Sequence, residues 1–329
     1  MPSLTGGTAY GAWSEVHRTM TRRVFAIAAA VVLIAAFFAL YTPDVDWGVL
    51  RGRYLASPAD LRNINGVSLH VRDTGPRSAP ALIMLHGFGS SLHTWEPWAR
   101  ALDSSYRVIR FDLPGSGLSA PDPTADYADM RSTQLLAALM DTLGIRRATV
   151  IGNSMGGRIA WTFAAKYPER VERLVLISPD GFASPGFEYG KPAHVPFALS
   201  LMRYVMPMPL LRMSLEPAYA DRRTMTDSLA RRYSDLMRAP GARRAMLQRM
   251  RQTILTDPVP VLRRIQAPTL LLWGLKDEMI PFSNAADYMQ ALPNAVLVPL
   301  PNAGHLPFEE APAAALVPLR RFLAQRSSH

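Results

Sequence analysis

ATVIGNSMGGR, residues Ala148 to Arg158, is the stretch on which the reading of this chain turns. Its first four residues are a short, mostly apolar run bounded by glycine, the pattern of a buried strand. Gly152-Asn153-Ser154-Met155-Gly156 then bends sharply into the start of a helix, a G-x-S-x-G arrangement. A serine hydroxyl on a regular helix or strand is a weak nucleophile, but one on a strand-to-helix turn projects clear of the backbone, where a histidine can reach it. Such a turn crowds its neighbours, and glycines two before and two after Ser154 remove side chains that would clash or forbid the backbone angles. The following helix points its N-terminal amides at charge developing beside the serine. Gly157, Ile159 and Ala160 are small and apolar enough to pack closely beneath a sheet. A turn of small residues that happens to hold a serine satisfies the same pattern, so the rest of the chain has to decide.

Outward from this stretch the signals are regular. Val67 to Arg72 alternates as a half-buried strand, and Asp73-Thr74-Gly75-Pro76 is a turn. Ala81 to Leu85 is a continuous apolar strand followed by His86-Gly87-Phe88-Gly89. A helical segment around Thr94 to Leu102 leads to a strand from Arg107 to Phe111, which ends in Asp112-Leu113-Pro114-Gly115-Ser116-Gly117. Tyr127 to Leu143 carries apolar residues at helical spacing and stops at Gly144. After the serine turn come a helix through Tyr167 and a buried strand from Arg173 to Ile177. Apolar strands alternating with helices predict an α/β fold, a mostly parallel sheet covered by helices on both faces. Active sites of such sheets lie at the carboxyl ends of the strands, where His86, Asp112, Ser154 and Asp180 all fall.

The alternation breaks over residues 182–266, where prolines (Pro185, Pro192, Pro196, Pro207, Pro209) give way to arginine-rich helical sequence holding eight of the chain's 16 methionines. This predicts an inserted helical cap over the strand ends. Flexible thioethers suit a surface that accepts varied apolar substrates, and they equally fill an irregular helical core. The strand pattern resumes with Thr269 to Trp273, a helix from Asn284 to Leu292, a strand from Ala295 to Val298 and a closing helix from Pro312 to Gln325. The core is thus expected in two parts, residues 64–181 and 267–329.

The 329 residues are 49% apolar, enough for a large core, and contain no cysteine, so neither a disulfide framework nor a thiolate metal site is available. The net charge of +10 favours anionic surfaces. No nucleic-acid-binding motif accompanies it, so the expected partner is a membrane. Val24 to Leu40 is uninterrupted apolar sequence behind Arg18, Arg22 and Arg23, which predicts an N-terminal transmembrane anchor over residues 24–41. The basic flank predicts a cytoplasmic segment over residues 1–23 and the rest of the protein on the outer side. A cleaved signal is the competing reading, although Phe38-Ala39-Leu40-Tyr41 is bulky where cleavage needs small residues; a buried core helix is a further one. Residues 42–63 form a connector that could rest on the membrane or on the domain.

A nucleophilic serine needs a base, and the base an orienter. Asp277, in Trp273-Gly274-Leu275-Lys276-Asp277, and His305, in Asn302-Ala303-Gly304-His305, each follow a buried strand, and the chain order Ser154, Asp277, His305 suits a serine triad on a parallel sheet. Together with His86-Gly87-Phe88-Gly89, these segments resemble the α/β-hydrolase family from Asn65 to Gln325. The resemblance implies that Ser154 attacks a carbonyl, His305 serves as general base and then acid, Asp277 fixes the imidazole, and the amides of Phe88 and Met155 hold the oxyanion. It implies structural roles for His86 and Asp112. Asp180 is the alternative acid, as some members carry it after the preceding strand. His70, His93 and His194 read as packing or surface residues, Glu309 and Glu310 as residues that cap or solvate the last helix. No pair of histidines has metal-ligand spacing, and no cofactor is expected.

Epoxide hydrolases and haloalkane dehalogenases of this family use aspartate at the turn, so Ser154 argues against both. The chain is similar to membrane-anchored esterases and monoacylglycerol-lipase-like hydrolases, which implies hydrolysis of apolar acyl esters. Gly-Asn-Ser-Met-Gly-Gly occurs equally among carbon-carbon bond hydrolases of ring-cleavage diketones, although His86-Gly87-Phe88-Gly89-Ser90-Ser91 lacks the proline common in their oxyanion loop. A hydrolase-like binding protein with negligible turnover is the reading from another class. Nothing in the sequence specifies an oligomeric state.

Overall fold

The computed structural model describes residues 8–183 and 188–325, so Pro185 and the first seven residues of the N-terminal segment lie outside the described residues. The chain forms two compact units, one of residues 1–43 with 204–207, the other of residues 44–203 with 208–329.

In the first unit, helix α1 runs over Thr8–Leu40, longer than the apolar run because residues 8–23 continue the helix ahead of it. Its His17–Leu40 portion has a mean hydropathy of 2.5 and none of the most apolar window is buried, so it is long and apolar enough to cross a membrane. Past its end, Thr42 N donates to Tyr204 O at 2.8 Å and Tyr41 bridges Val205.

The second unit is built on eight strands: β1 (Leu61–Ile64), β2 (Val67–Thr74), β3 (Ala81–Leu85), β4 (Arg107–Phe111), β5 (Ala148–Asn153), β6 (Val171–Ile177), β7 (Thr269–Gly274) and β8 (Ala295–Leu300). Their order across the sheet is β1-β2-β4-β3-β5-β6-β7-β8. Only the β1/β2 and β2/β4 pairings are antiparallel, and every pairing from β4 to β8 is parallel. The period of two places successive residues of β3 on opposite faces: Ile83 and Leu85 in one core, Leu82 and Met84 in the other. Over the first face lie α4 (Asp129–Thr142), α5 (Met155–Lys166) and α11 (Asn284–Ala291), contributing Leu136, Ile159, Phe163 and Tyr288. Over the second lie α3 (Glu96–Leu102) and α13 (Pro312–Ala324), where Trp95 stacks on Phe308 at 3.9 Å beside Trp98, Leu319 and Phe322. Each fully buried side chain of this size contributes about 1.5–3 kcal/mol.

β1 begins inside the stretch expected as a connector and ends one residue past it. The hairpin that holds it turns on Asn65-Gly66, both at positive φ, with Ile64 paired to Val67. Asparagine followed by glycine is the two-residue turn that best matches strand twist, and it was the available signal. The remainder of the connector forms α2 (Trp47–Tyr54), capped by Asp46 accepting from Gly48 N at 2.7 Å. α2 packs on the domain through Leu50, fully buried with Leu118, Leu236 and Ala242.

Between β6 and β7 the chain inserts α6 (Phe197–Ser200), α7 (Met208–Leu215), α8 (Asp227–Met237), α9 (Ala242–Gln252) and α10 (Val259–Leu262). Charged tethers fasten this helical insertion to the core. Asp235 accepts from Arg53 at 2.8 Å and Tyr54 at 2.9 Å, Arg243 pairs with Asp44, and buried Arg249 donates to the carbonyls of Tyr127 and Pro114 at 3.2 Å. A short helix, α12 (Pro307–Glu310), precedes α13.

Candidate active site

At the end of β5 the backbone of Ser154 adopts φ 54°, ψ −124°, a strained conformation for a residue with a side chain. The flanking glycines are required by space. A Cβ on Gly152 would lie 2.3 Å from Gly156 O, and one on Gly156 would lie 2.4 Å from Leu85 O. The turn therefore closes on itself and against β3 at distances that only glycine permits. Ser154 N donates to Ile177 O at 3.1 Å, and Met155, the first residue of α5, has an amide with no acceptor inside the helix.

Asp277 and His305 lie beyond the ends of β7 and β8. The Nδ1 of His305 is 2.8 Å from Asp277 Oδ2, with both side chains almost fully buried. The other oxygen of Asp277 accepts from the amides of Met279 at 2.9 Å and Ile280 at 2.8 Å. Burial pushes the Asp277 carboxyl up, but the His305 imidazole and the amide donors outweigh it and hold the group below its ordinary value. A carboxylate on Nδ1 fixes the proton there and leaves Nε2 as the acceptor. Asn153, adjacent to Ser154, donates from its side-chain amide to His305 O at 3.0 Å and Ile177 O at 3.1 Å, tying the serine turn to the histidine loop.

Glu310 does something the sequence did not suggest. Its carboxylate accepts from the amides of Gly304 and of Ala220, at 2.8 Å for the latter, so it clamps the His305 loop to the insertion instead of solvating a helix. His305 N completes the clamp by donating to Ala218 O at 2.9 Å. Glu309 likewise turns inward, accepting from Tyr219 at 2.7 Å and Tyr233 at 3.0 Å and pairing with Arg232.

Ser154, Met155 and Phe88 line one cavity of about 220 Å³, with Arg158, Asp180, Met250, Thr253, Met279 and Ile280. Its walls are mostly apolar. Of the insertion's methionines Met250 reaches it, whereas Met206, Met225 and Met246 are buried in packing. Arg158, 3% exposed, holds Asp129 at 2.8 Å and Asp180 at 2.9 Å, so the one cation among the described wall residues is over-neutralised by two carboxylates. Asp180 thus sits on Arg158, and the imidazole of His305 has Asp277 beside it.

His86 is fully buried: Nδ1 donates to Gly87 O at 2.8 Å and Nε2 accepts from Leu113 N at 3.0 Å. Burial pushes its pKa down, which keeps it neutral as both contacts require. His70 packs at zero exposure with Nδ1 2.8 Å from Asp112, burial pushes His93 down to about 4, and His194 is exposed. Among the described residues no group of three acidic or imidazole side chains could hold a metal ion.

A serine on this turn, a buried carboxylate-imidazole pair and a parallel sheet define a class, and the comparisons give the same one. The chain belongs to the α/β-hydrolase fold family, whose model matches residues 80–312. A 2-hydroxy-6-oxononadienedioate/2-hydroxy-6-oxononatrienedioate hydrolase of Paraburkholderia phymatum is 32% identical over 250 residues, 72% of this chain and 84% of that protein. Among solved structures, a membrane phospholipase A described as a bacterial virulence factor has a TM-score of 0.68 and 25% identity, covering 93% of this chain and 98% of its own. A meta-cleavage product hydrolase has the same TM-score and 26% identity but covers 80% of this chain.

Proposed function

We propose that this protein is a membrane-anchored serine hydrolase that cleaves carboxylic esters of apolar acyl groups through an acyl-enzyme. Ser154 Oγ attacks the ester carbonyl while His305 Nε2 takes its proton. The amides of Phe88 and Met155 donate to the oxyanion, a contribution of about 3 kcal/mol for each donor. Collapse of the tetrahedral intermediate breaks the bond to the alcohol, which leaves with the proton from His305. Water, deprotonated by the same imidazole, then releases the carboxylic acid and restores Ser154. Asp277 holds the imidazole in the required tautomer and stabilises its charged form throughout.

The observation that carries the ester reading is the charge of the cavity wall. The ring-cleavage diketones hydrolysed by relatives such as that of Paraburkholderia phymatum carry carboxylates, which a pocket would bind with a free cation. Here Arg158 is bound to Asp129 and Asp180, and the remaining lining is largely apolar, which suits a neutral acyl ester. The anchor reading draws support from α1 and from the phospholipase, whose match extends over 93% of this chain. The arginines ahead of the apolar run support a cytoplasmic N-terminus and an outer catalytic domain. The curated relatives' names favour carbon-carbon bond cleavage as the second reading, and a binding protein without turnover is the third.

Hydrolysis of p-nitrophenyl esters of increasing chain length, wild type against Ser154→Ala, tests the assignment. Serine-dependent turnover with a chain-length optimum is expected. Equal, slow rates in both proteins would remove the ester reading, and vinylogous diketones would then separate the second from the third. Covalent labelling of Ser154 by a fluorophosphonate is expected and would leave the binding-protein reading without support.

A further inference from the structure

The insertion exposes apolar side chains that the proposed chemistry does not use. In and around α6 these are Phe197 at 80% exposure, Leu199 and Leu201; in α7 they are Met208, Leu210 and Met213, the last at 65%. Clustered exposed apolar residues of this size mark an interaction face. The 25 residues from Lys191 to Leu215 contain no aspartate or glutamate and include Lys191, Arg203 and Arg212, so nothing in the segment repels an anionic surface.

The chain between the two apolar helices identifies the occupant. Residues 204–207 belong to the unit of α1. Thr42 N donates to Tyr204 O at 2.8 Å, Met206 N donates to Thr42 Oγ1 at 3.1 Å, and the rings of Phe37 and Tyr204 lie 6.3 Å apart. Phe37, Tyr41 and Tyr204 thus gather aromatic rings at the end of the apolar run, the residues favoured at a membrane-water interface. Residues 203 and 208, which follow α6 and open α7, are joined to this segment by peptide bonds. The other end of the stretch reaches the cavity. Pro192 bridges Ile254, and Ala193 N donates to Thr253 O at 3.3 Å, Thr253 being part of the wall around Ser154.

We propose that the apolar face of residues 197–201 and 208–213 docks on the headgroup region of a lipid bilayer, so that a lipid ester passes into the Ser154 cavity directly from the membrane. The proposal rests on reading α1 as a membrane helix, and the experiment separates the two. Because the chain has no cysteine, one introduced thiol carries one label. In the full-length protein, Phe197→Cys and Met213→Cys test the face, Ile34→Cys tests the anchor, and Val317→Cys, exposed on α13, is the control. Each is labelled with bimane in phosphatidylcholine-phosphatidylglycerol vesicles bearing a shallow nitroxide lipid, and fluorophosphonate labelling of Ser154 reports that each variant is intact. Severalfold stronger quenching at 197 and 213 than at 317 is expected, together with quenching at 34. Quenching at 34 with 197 and 213 no different from 317 would overturn the docking face and keep the anchor. Quenching at 197 and 213 without 34 would keep the face and overturn the anchor. No quenching at any of the three would overturn both. Self-quenching at 197 that rises with protein density, with no effect of the nitroxide lipid, would assign the face to a second copy and overturn the proposal.

Discussion

Two carboxylate-imidazole pairs in this molecule have nearly the same geometry and different surroundings. His305 Nδ1 meets Asp277 Oδ2 at 2.8 Å, and His70 Nδ1 meets Asp112 Oδ2 at 2.8 Å. In each, the other carboxylate oxygen accepts main-chain amides: Met279 and Ile280 for Asp277, Leu92 for Asp112. The pairs differ in what lies past the ring. His305 stands on a loop tied through Asn153 to the serine turn. His70 is sealed in the core with no hydrogen-bond partner for Nε2 among the described residues, and its local hydroxyl, Ser119 Oγ, is taken up donating to Asp112 O. A buried pair is therefore a structural element unless a nucleophile reaches its imidazole, the role proposed for Ser154 at His305.

The largest effects should fall on one pair and spare the other. Ser154→Ala and His305→Ala are each expected to lower kcat on a soluble ester by about ten-thousand-fold or more, with the double variant no worse than either single one. Asp277→Asn should lose about ten-thousand-fold by admitting the wrong tautomer. Asp112→Asn, changing the same atoms in the other pair, should leave kcat within about fivefold at a temperature where both proteins are folded, since amide-capped carboxylates in cores act on stability. Comparable losses of kcat in both would break the comparison.

Stability should reverse that ranking. Asp112 ties Leu92 and Leu118 of two different loops to His70, and Gly117 approaches so closely that a Cβ there would lie 2.1 Å from its Oδ2. Removing the charge should cost about 2–4 kcal/mol in denaturant unfolding. Burial pushes the Asp112 carboxyl up, but its hydrogen bond to His70 prevails and holds it below its ordinary value. A folded pKa below the unfolded one gives stability that is complete above the unfolded value and lost as pH falls through the folded one. The gap between wild type and Asp112→Asn should accordingly be constant above about pH 5 and narrow below about pH 4.

The contrast between the pairs also shows where the sequence was legible. Strands β3 and β4 were bounded to the residue, because five continuous apolar or alternating residues between breakers admit one period. Ser154, Asp277 and His305 could be proposed as a set because each follows a strand, and linear order carries that information. β1 was missed although Asn65-Gly66 announced its hairpin, since Leu61 to Ile64 is too short and too mixed to show a period. The roles of Asn153, Arg158 and Glu310 were not legible because they depend on what lies opposite in space. Glu310 meets the amides of Gly304 and Ala220 only after the insertion has folded back over the sheet.

Glu310 gives the next effect in size. Without a full carboxylate, one of the two clamped amides loses its acceptor and the His305 loop loosens. Glu310→Gln should lower kcat by about tenfold to a hundredfold through misplacement of the imidazole, with KM changing less than kcat. Equal falls in kcat for Glu310→Gln and Glu310→Ala would indicate that the charge carries the clamp; partial rescue by glutamine would assign it to hydrogen bonding. An unchanged kcat in both would show that the remaining ties, His305 N to Ala218 O and Asn153 to His305 O, hold the loop.

The smallest expected effect bears on the cavity wall. Arg158 with two carboxylates presents net negative charge beside Ser154, and Asp180 is the partner that is both partly exposed and part of the cavity lining. Asp180→Asn leaves a neutral Arg158-Asp129 pair and keeps the main-chain oxygen of residue 180 that accepts from Trp161 and Tyr288. An ester with a carboxylate in its acyl chain should then gain about fivefold in kcat/KM, equivalent to roughly 1 kcal/mol of relieved repulsion after screening at this partly exposed site. The gain should shrink as salt is raised, because the Debye length contracts from about 10 Å to about 3 Å between 0.1 and 1 M. A neutral ester of the same length should show no change. Equal gains for the neutral and charged esters would mean that the substitution had widened the pocket, and the wall's charge would no longer account for a preference for neutral esters over carboxylate-bearing diketones.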